Sequence, residues 1–365
     1  MGRMAGVVES KQGQEAIGGH RERVAGLSQR LGLMPLARAL RQVLKQDVRI
    51  LAYHRVLDSV EPEGFAFDAE LISASADMFR QQMALLRRRF HPLRFSELLD
   101  CIDAGRAVPP RSVLVTFDDG YDDNYRVAWP ILRDLDMSAM FFVSTGHIDT
   151  GLPYAYDWLA HMLCSMPAGE LSLPEIGLQT QLAGPGPSRR ALVAAVLDRA
   201  KALDAATQEA LITRLEEQLA MPREGGDDNC RPMTWEQLRQ MRESGMEVGS
   251  HGVSHRMLAK LPRAQMRAEL VDSRQALARE LGIQAQVLSF PVGGRDAFND
   301  EVIEAARDAG YRMACSYLAG TSTLAQAHHF RMARLPVERQ MGMAWFEAML
   351  SVPEVFSYTS RSRKA

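Results

Sequence analysis

The sequence predicts an α/β protein: a distorted (β/α) barrel of about seven parallel strands, interrupted by a helical insertion. Three observations lead there. Short apolar, β-branched runs alternate with stretches of helical periodicity, a pattern that gives parallel strands with their connections outside. The chain has 365 residues, enough for one large α/β domain with insertions. The polar residues His54, Asp118-Asp119 and His251, and the segment Pro291-Val292-Gly293, each follow a strand-like run, which is where such a barrel keeps its chemistry.

The elements follow in order. Residues 1–46 form an extension, basic and polar at first. From about Arg21 to Lys45 its Leu, Ala and Val recur at helical spacing and read as an amphipathic helix ahead of the main domain. Asp47 introduces the apolar run Val48 to His54, a buried strand. Helical stretches follow over Ser75 to Phe90 and Phe95 to Ala104. Ser112-Val113-Leu114-Val115-Thr116-Phe117 is the clearest strand, and it stops abruptly at Asp118-Asp119-Gly120. A helix over Val127 to Leu135 leads to a strand over Met140 to Ser144.

From 151 to 231 the sequence is helical or rich in Gly and Pro, with no convincing strand, and reads as an inserted lid or substrate-binding wall. Thr234 and Gln237 make a capping box for a helix ending near Gly245. Strands then fall over Met246 to Gly249, Val287 to Phe290 and Tyr311 to Ser316. Between them lie helices over Arg263 to Leu281 and Asp300 to Ala309. Ala333-Arg334-Leu335-Pro336-Val337 is strand-like. The main domain is expected over 47–340, with 341–365 left as a C-terminal tail.

Composition narrows the class. Apolar residues make up 46% and charged residues 24%, ordinary for a soluble globular protein. With 43 basic and 45 acidic side chains the net charge is −2. That gives no electrostatic case for nucleic acid or an anionic membrane as the main partner. The four cysteines form no CxxC pair, which argues against a zinc knuckle or a disulfide framework. Met1 to Gln46 holds no apolar core of signal-peptide length, and no stretch approaches the roughly 18 apolar residues of a membrane span. The expected location is the cytoplasm, with no transmembrane segment.

Three clusters could do chemistry. Two adjacent carboxylates, Asp118 and Asp119, end an apolar strand, where their charge needs compensation. An Asp-Gly turn would be the plain explanation. A calcium loop is a second, but the EF-hand pattern needs Gly at its sixth position and Gly120 stands third. His251 and His255 are four apart, a spacing that on a helical turn puts both imidazoles on one face to grip a metal. Two surface histidines at that spacing by chance are the competing reading. Two histidines and one carboxylate suit a catalytic zinc centre, with the second carboxylate free to act as base on the attacking water. His54 at another strand end could bring a proton to the leaving group, or could be a histidine satisfied by backbone.

These residues match a known family. Thr116-Phe117-Asp118-Asp119-Gly120 resembles the first motif of the polysaccharide deacetylases, the family 4 carbohydrate esterases with the chitooligosaccharide-deacetylase homology domain. Ser250-His251-Gly252-Val253-Ser254-His255 resembles their second, His-(Ser/Thr)-x-x-His, with Gly252 at the usual hydroxyl position. The resemblance runs from about Ile50 to Glu338, apart from the insertion. It implies Asp119, His251 and His255 as ligands of zinc or another divalent transition metal, and Asp118 as general base. It also implies removal of N-acetyl groups from a polysaccharide, an oligosaccharide or its biosynthetic precursor. Leu51-Ala52-Tyr53-His54-Arg55-Val56 resembles the early Tyr-His segment of the poly-N-acetylglucosamine deacetylase branch, which implies His54 as general acid.

The third motif departs from the family. Where Arg-x-Pro and an aromatic are usual, this chain has Ser289-Phe290-Pro291-Val292. Arginine normally orients the base, so either another group does so here, with Arg295 the candidate nearby in sequence, or the base is less well tuned. Pro291, Val292 and Arg295 form the expected substrate-binding set, with the Val292 N–H offered to the oxyanion. His328-His329 is an alternative source of the late histidine, in a polar loop. Two further readings follow: a metal-dependent amidase or esterase on a non-glycan substrate, and a weakly active glycan-binding protein, the latter resting on the altered motif.

Overall fold

In the computed structural model, which describes residues 19–59, 64–325 and 329–358, seven parallel strands close a barrel in chain order. They are β1 Arg49–Tyr53, β2 Ser112–Phe117, β3 Met140–Val143, β4 Glu247–Ser250, β5 Val287–Ser289, β6 Met313–Ala319 and β7 Met332–Pro336. Closure runs through Leu51↔Leu335 and Ala52↔Pro336. The β1–β2 seam is in register from Arg49↔Val113 to Tyr53↔Phe117. His91–Pro92 adds a short strand at the start of β2.

Strand residues alternate between two clusters, as a pleated strand requires. Ile50, Leu114, Phe142, Val287, Met313 and Met332 pack together, closed off by Phe95 and Leu98 of helix Phe95–Asp103. The intervening Leu51, Val115, Phe117, Phe141, Val143 and Leu335 join the surrounding helices. Helix Ala76–Arg89 is typical of that shell. Ser75 caps it by accepting from the Met78 N–H, and Phe79, Met83 and Leu86 are buried along one face. Full burial of each such side chain stabilises by roughly 1.5–3 kcal/mol.

Three segments differ from expectation. The insertion between β3 and β4 contains a β-hairpin, Gly169–Leu173 against Leu178–Leu182. Its strands are polar and exposed on one side, so they lack the apolar run that marks the barrel strands. Helices Ala155–Ser165, Pro187–Ala202 and Ala205–Leu219 complete the insertion. With the hairpin they share a separate core that includes Trp158, Leu173, Val196 and Leu215. The segment expected as a tail forms helix Met343–Ser351, apolar nearly all round and almost wholly buried. Residues 359–365 of that tail and 1–18 of the extension lie outside the described residues. The amphipathic stretch from Arg21 to Lys45 is two helices, broken at Gly32, whose φ of 68° ends the first and opens the second, Leu33–Leu44.

Candidate metal centre and catalytic cleft

Continuing each inward series by two residues arrives at the cleft. Ile50 and Ala52 lead to His54, Leu114 and Thr116 to Asp118, and Met332 to Arg334. Adjacent strand residues point to opposite faces, so Asp119 would turn away from Asp118. It does not, because Asp119 takes a φ of 74°, and both carboxylates line one cleft with His54, His251, His255, Val292 and Tyr317. Asp119, His255 and Val292 are three of the six non-glycine residues with positive φ among those described. Such strain, of order 1 kcal/mol or more each, persists where surrounding structure over-determines it, commonly at functional sites.

Asp119, His251 and His255 can each present one donor atom, all within 4.8 Å of one another. The Asp119 Oδ1 lies 3.4 Å from His251 Nε2 and 3.1 Å from His255 Nε2, yet it is buried without a well-formed hydrogen bond. His251 Nδ1 is 2.7 Å from the Ser289 carbonyl, which fixes the proton on Nδ1 and leaves the Nε2 lone pair facing Asp119. A buried orphan oxygen beside two imidazole nitrogens fits a divalent transition metal. Burial opposes ionisation of Asp119, but His255 and His251 hold its carboxyl well below the ordinary range.

The two histidines do not sit on a helical turn. Residues 251–256 form a loop, with Gly252 at φ 75° and His255 at φ 57°. Glu269 pins that loop, its Oε2 accepting from the Val253 and Ser254 N–H groups at 2.7 and 3.0 Å. The Ser254 hydroxyl also donates to Glu269. The ring centroids end up 5.0 Å apart.

Asp118 has a different partner. Arg334, on β7 and fully buried, donates Nη1 and Nη2 to its two oxygens at 2.7 and 2.6 Å. Arg334 also donates to Ser289 Oγ at 3.0 Å and to the Ser316 carbonyl at 2.7 Å. Burial would push the Asp118 carboxyl up, but Arg334, with His251, holds it below its usual range. The guanidinium on the base is therefore not that of Arg295, which is exposed on the loop after β5. Arg334 was missed although it had a signal: a lone charge at inward parity in an apolar strand.

The remaining expected residues divide. The backbone of His54 is satisfied, its N–H donating to Ser73 Oγ and its carbonyl accepting from Asn124. Its ring faces the cleft, with Nδ1 3.5 Å from the Tyr317 hydroxyl. Val292 lines the cleft; Pro291 is buried beside Gly252. His329 bonds the Leu324 carbonyl and does not line the cleft, while His328 lies outside the described residues. The insertion forms one wall with Tyr154, Tyr156, Asp157 and Lys201. The Tyr154 hydroxyl donates to the Asp119 carbonyl.

The chain is similar to several known proteins. The Bacillus subtilis protein YxkH is 23% identical over 243 residues, 66% of this chain and 56% of that one. The Escherichia coli poly-β-1,6-N-acetyl-D-glucosamine N-deacetylase is 28% identical over 101 residues, 27% of this chain and 14% of that one. The chain thus matches only about half, or less, of the length of these relatives. In fold it is similar to the Streptococcus pyogenes deacetylase PplD, with a TM-score of 0.54 at 20% identity, over 81% of this chain and 94% of that one. Residues 105–314, more than half the chain, match the family model described as polysaccharide deacetylase, and the chain belongs to that family.

Proposed function

We propose that the protein hydrolyses the N-acetyl group of an N-acetylated amino sugar in a polysaccharide, an oligosaccharide or its biosynthetic precursor. The observation that carries this reading is the division of labour between adjacent carboxylates. Asp119 faces two imidazoles and suits a metal ligand, while Asp118 is held ionised by Arg334 and suits a base.

A bound divalent metal, zinc in the first instance, would supply Lewis-acid polarisation of the acetamide carbonyl and acidify the attacking water. Asp119, His251 and His255 would hold it. Asp118 takes the proton of that water as it attacks the carbonyl carbon. The Val292 N–H stabilises the developing oxyanion. His54, opposite, gives a proton to the departing amine, so that the C–N bond breaks to yield acetate and a free amino sugar. Arg334 orients Asp118 and so fills the place left by the altered third motif. That removes the reason for reading the chain as a binding protein.

The E. coli relative is named for poly-β-1,6-N-acetyl-D-glucosamine, which makes β-1,6-linked N-acetylglucosamine oligomers the first substrate to try. Metal-loaded wild type is expected to release acetate from N-acetylglucosamine oligomers, and Asp118→Asn and His54→Ala to lose turnover. Failure to release acetate from any N-acetylated glycan, or undiminished turnover in Asp118→Asn, would sink the assignment.

A further inference from the structure

Helix Leu33–Leu44 faces the wrong way for a surface helix. Its buried residues are Met34 and Arg41. Arg38 donates to Glu347, and Arg41 to Asp47 and Glu354. Its apolar side points outward: Leu33, Leu36, Leu40, Val43 and Leu44 are 45%, 68%, 58%, 83% and 69% exposed. An amphipathic helix ordinarily turns that stripe to the core. Val24 and Leu27 of the preceding helix and Leu31 of the turn between them are exposed as well. Eight of the ten large apolar side chains that stand exposed among the described residues therefore come from these two helices and their joint. Such a concentration of exposed apolar side chains marks an interaction surface.

Charge selects the partner. Residues 19–46 hold six Lys and Arg against one Glu, in a chain whose net charge is −2. That acid, Glu22, turns inward, with a buried Oε2 beside Gly342. Arg23, Arg30 and Lys45 are exposed. Glu354, on the short helix Pro353–Phe356, is already shared by Arg41 and Lys45. A second copy applied to the same face would set cation against cation. Leucines flanked by cations are what an anionic bilayer surface accepts.

We propose that these two helices are a membrane-surface anchor, laying the leucine face into the headgroup–acyl boundary while Arg23 and Arg30 meet lipid phosphates. The anchor lies in the interface, because no described helix is long and apolar enough to cross a bilayer. The balanced net charge does not oppose this, since the cations are local and the excess acid lies elsewhere.

The test is co-sedimentation of the full chain with phosphatidylcholine vesicles, with and without phosphatidylglycerol. Wild type should pellet with the anionic vesicles and be partly released by salt. The triple variant Leu36→Ser, Leu40→Ser, Val43→Ser should remain in the supernatant at an unchanged melting temperature, because those side chains are exposed in the folded protein. Arg23→Glu with Arg30→Glu should weaken partitioning by roughly tenfold or more. Wild type that pellets with neither vesicle, or a triple variant that pellets like wild type, overturns the proposal. A dimer in light scattering that the triple substitution dissolves, without vesicle binding, overturns it in favour of a second copy.

Discussion

Arg334 grips both oxygens of Asp118, at 2.7 and 2.6 Å, from a strand two places round the barrel and 216 residues away in sequence. Both groups are buried, so the pair is a positioning device whose two halves depend on each other. Removing one half of such a pair leaves an uncompensated charge in the interior.

Arg334→Met should therefore cost about 3–5 kcal/mol of stability. The abandoned carboxyl would rise, since burial is then opposed only by the neighbouring histidines. Turnover should fall by about two orders of magnitude as the base loses its orientation. Arg334→Lys keeps the charge but gives up the paired contact, and should fall between. Chemical denaturation and acetate release check both, and a wild-type result from the Met variant would contradict the role given to this residue.

Metal content separates ligand from base. Wild type should hold about one divalent transition metal per chain, lost in Asp119→Ala and His251→Ala. Asp118→Asn should keep the metal and lose turnover. Elemental analysis reads this without any choice of substrate. Metal retained in Asp119→Ala would show that the three donors do not form the centre.

Gly252 stands where the family usually has Ser or Thr, and here that residue would not fit. Its φ is 75°, and a Cβ would come within 2.9 Å of Glu269 Oε2, the carboxylate that pins the loop carrying His255. Gly252→Thr should cost roughly 1–3 kcal/mol and weaken metal binding, read by melting temperature and by competition with a chelator. Unchanged affinity would mean that the loop adjusts freely.

Asp157 gives a pH dependence. Burial pushes its carboxyl up to about 7, against the pull of Arg55. The folded state thus holds the proton more tightly than the unfolded chain. Its contribution is full below about pH 4 and is lost as pH rises through about 7, by on the order of 4 kcal/mol at most. Asp157→Asn should flatten the fall in unfolding free energy across that window. Equal slopes in wild type and variant would assign the effect elsewhere.

Much of this was legible in the residues. Parallel barrel strands are covered on both faces and so read as near-continuous apolar runs, which is why Ser112–Phe117 and Met140–Val143 stand out most. Asp118, Asp119, His251 and His255 were visible because charge and imidazole are conspicuous at the ends of such runs. The hairpin at 169–182 was not, because its strands are half exposed and polar, with no run to mark them. Periodicity revealed an amphipathic stretch near Leu33 but not its direction, since a stripe has the same spacing whether it faces core or solvent.

Local sequence thus settles what each segment can be: strand, helix, turn, and which side chains are chemically able to bind a metal or move a proton. Which of them meet depends on barrel closure. Arg295 lies closer in sequence to the expected third motif and ends exposed on a loop, while Arg334 arrives at Asp118 from β7. The physical reason is parity: closing the barrel puts β7 two strands from β2, alternation along each strand turns 334 and 118 to the same inward side, and the long arginine side chain spans the rise between them.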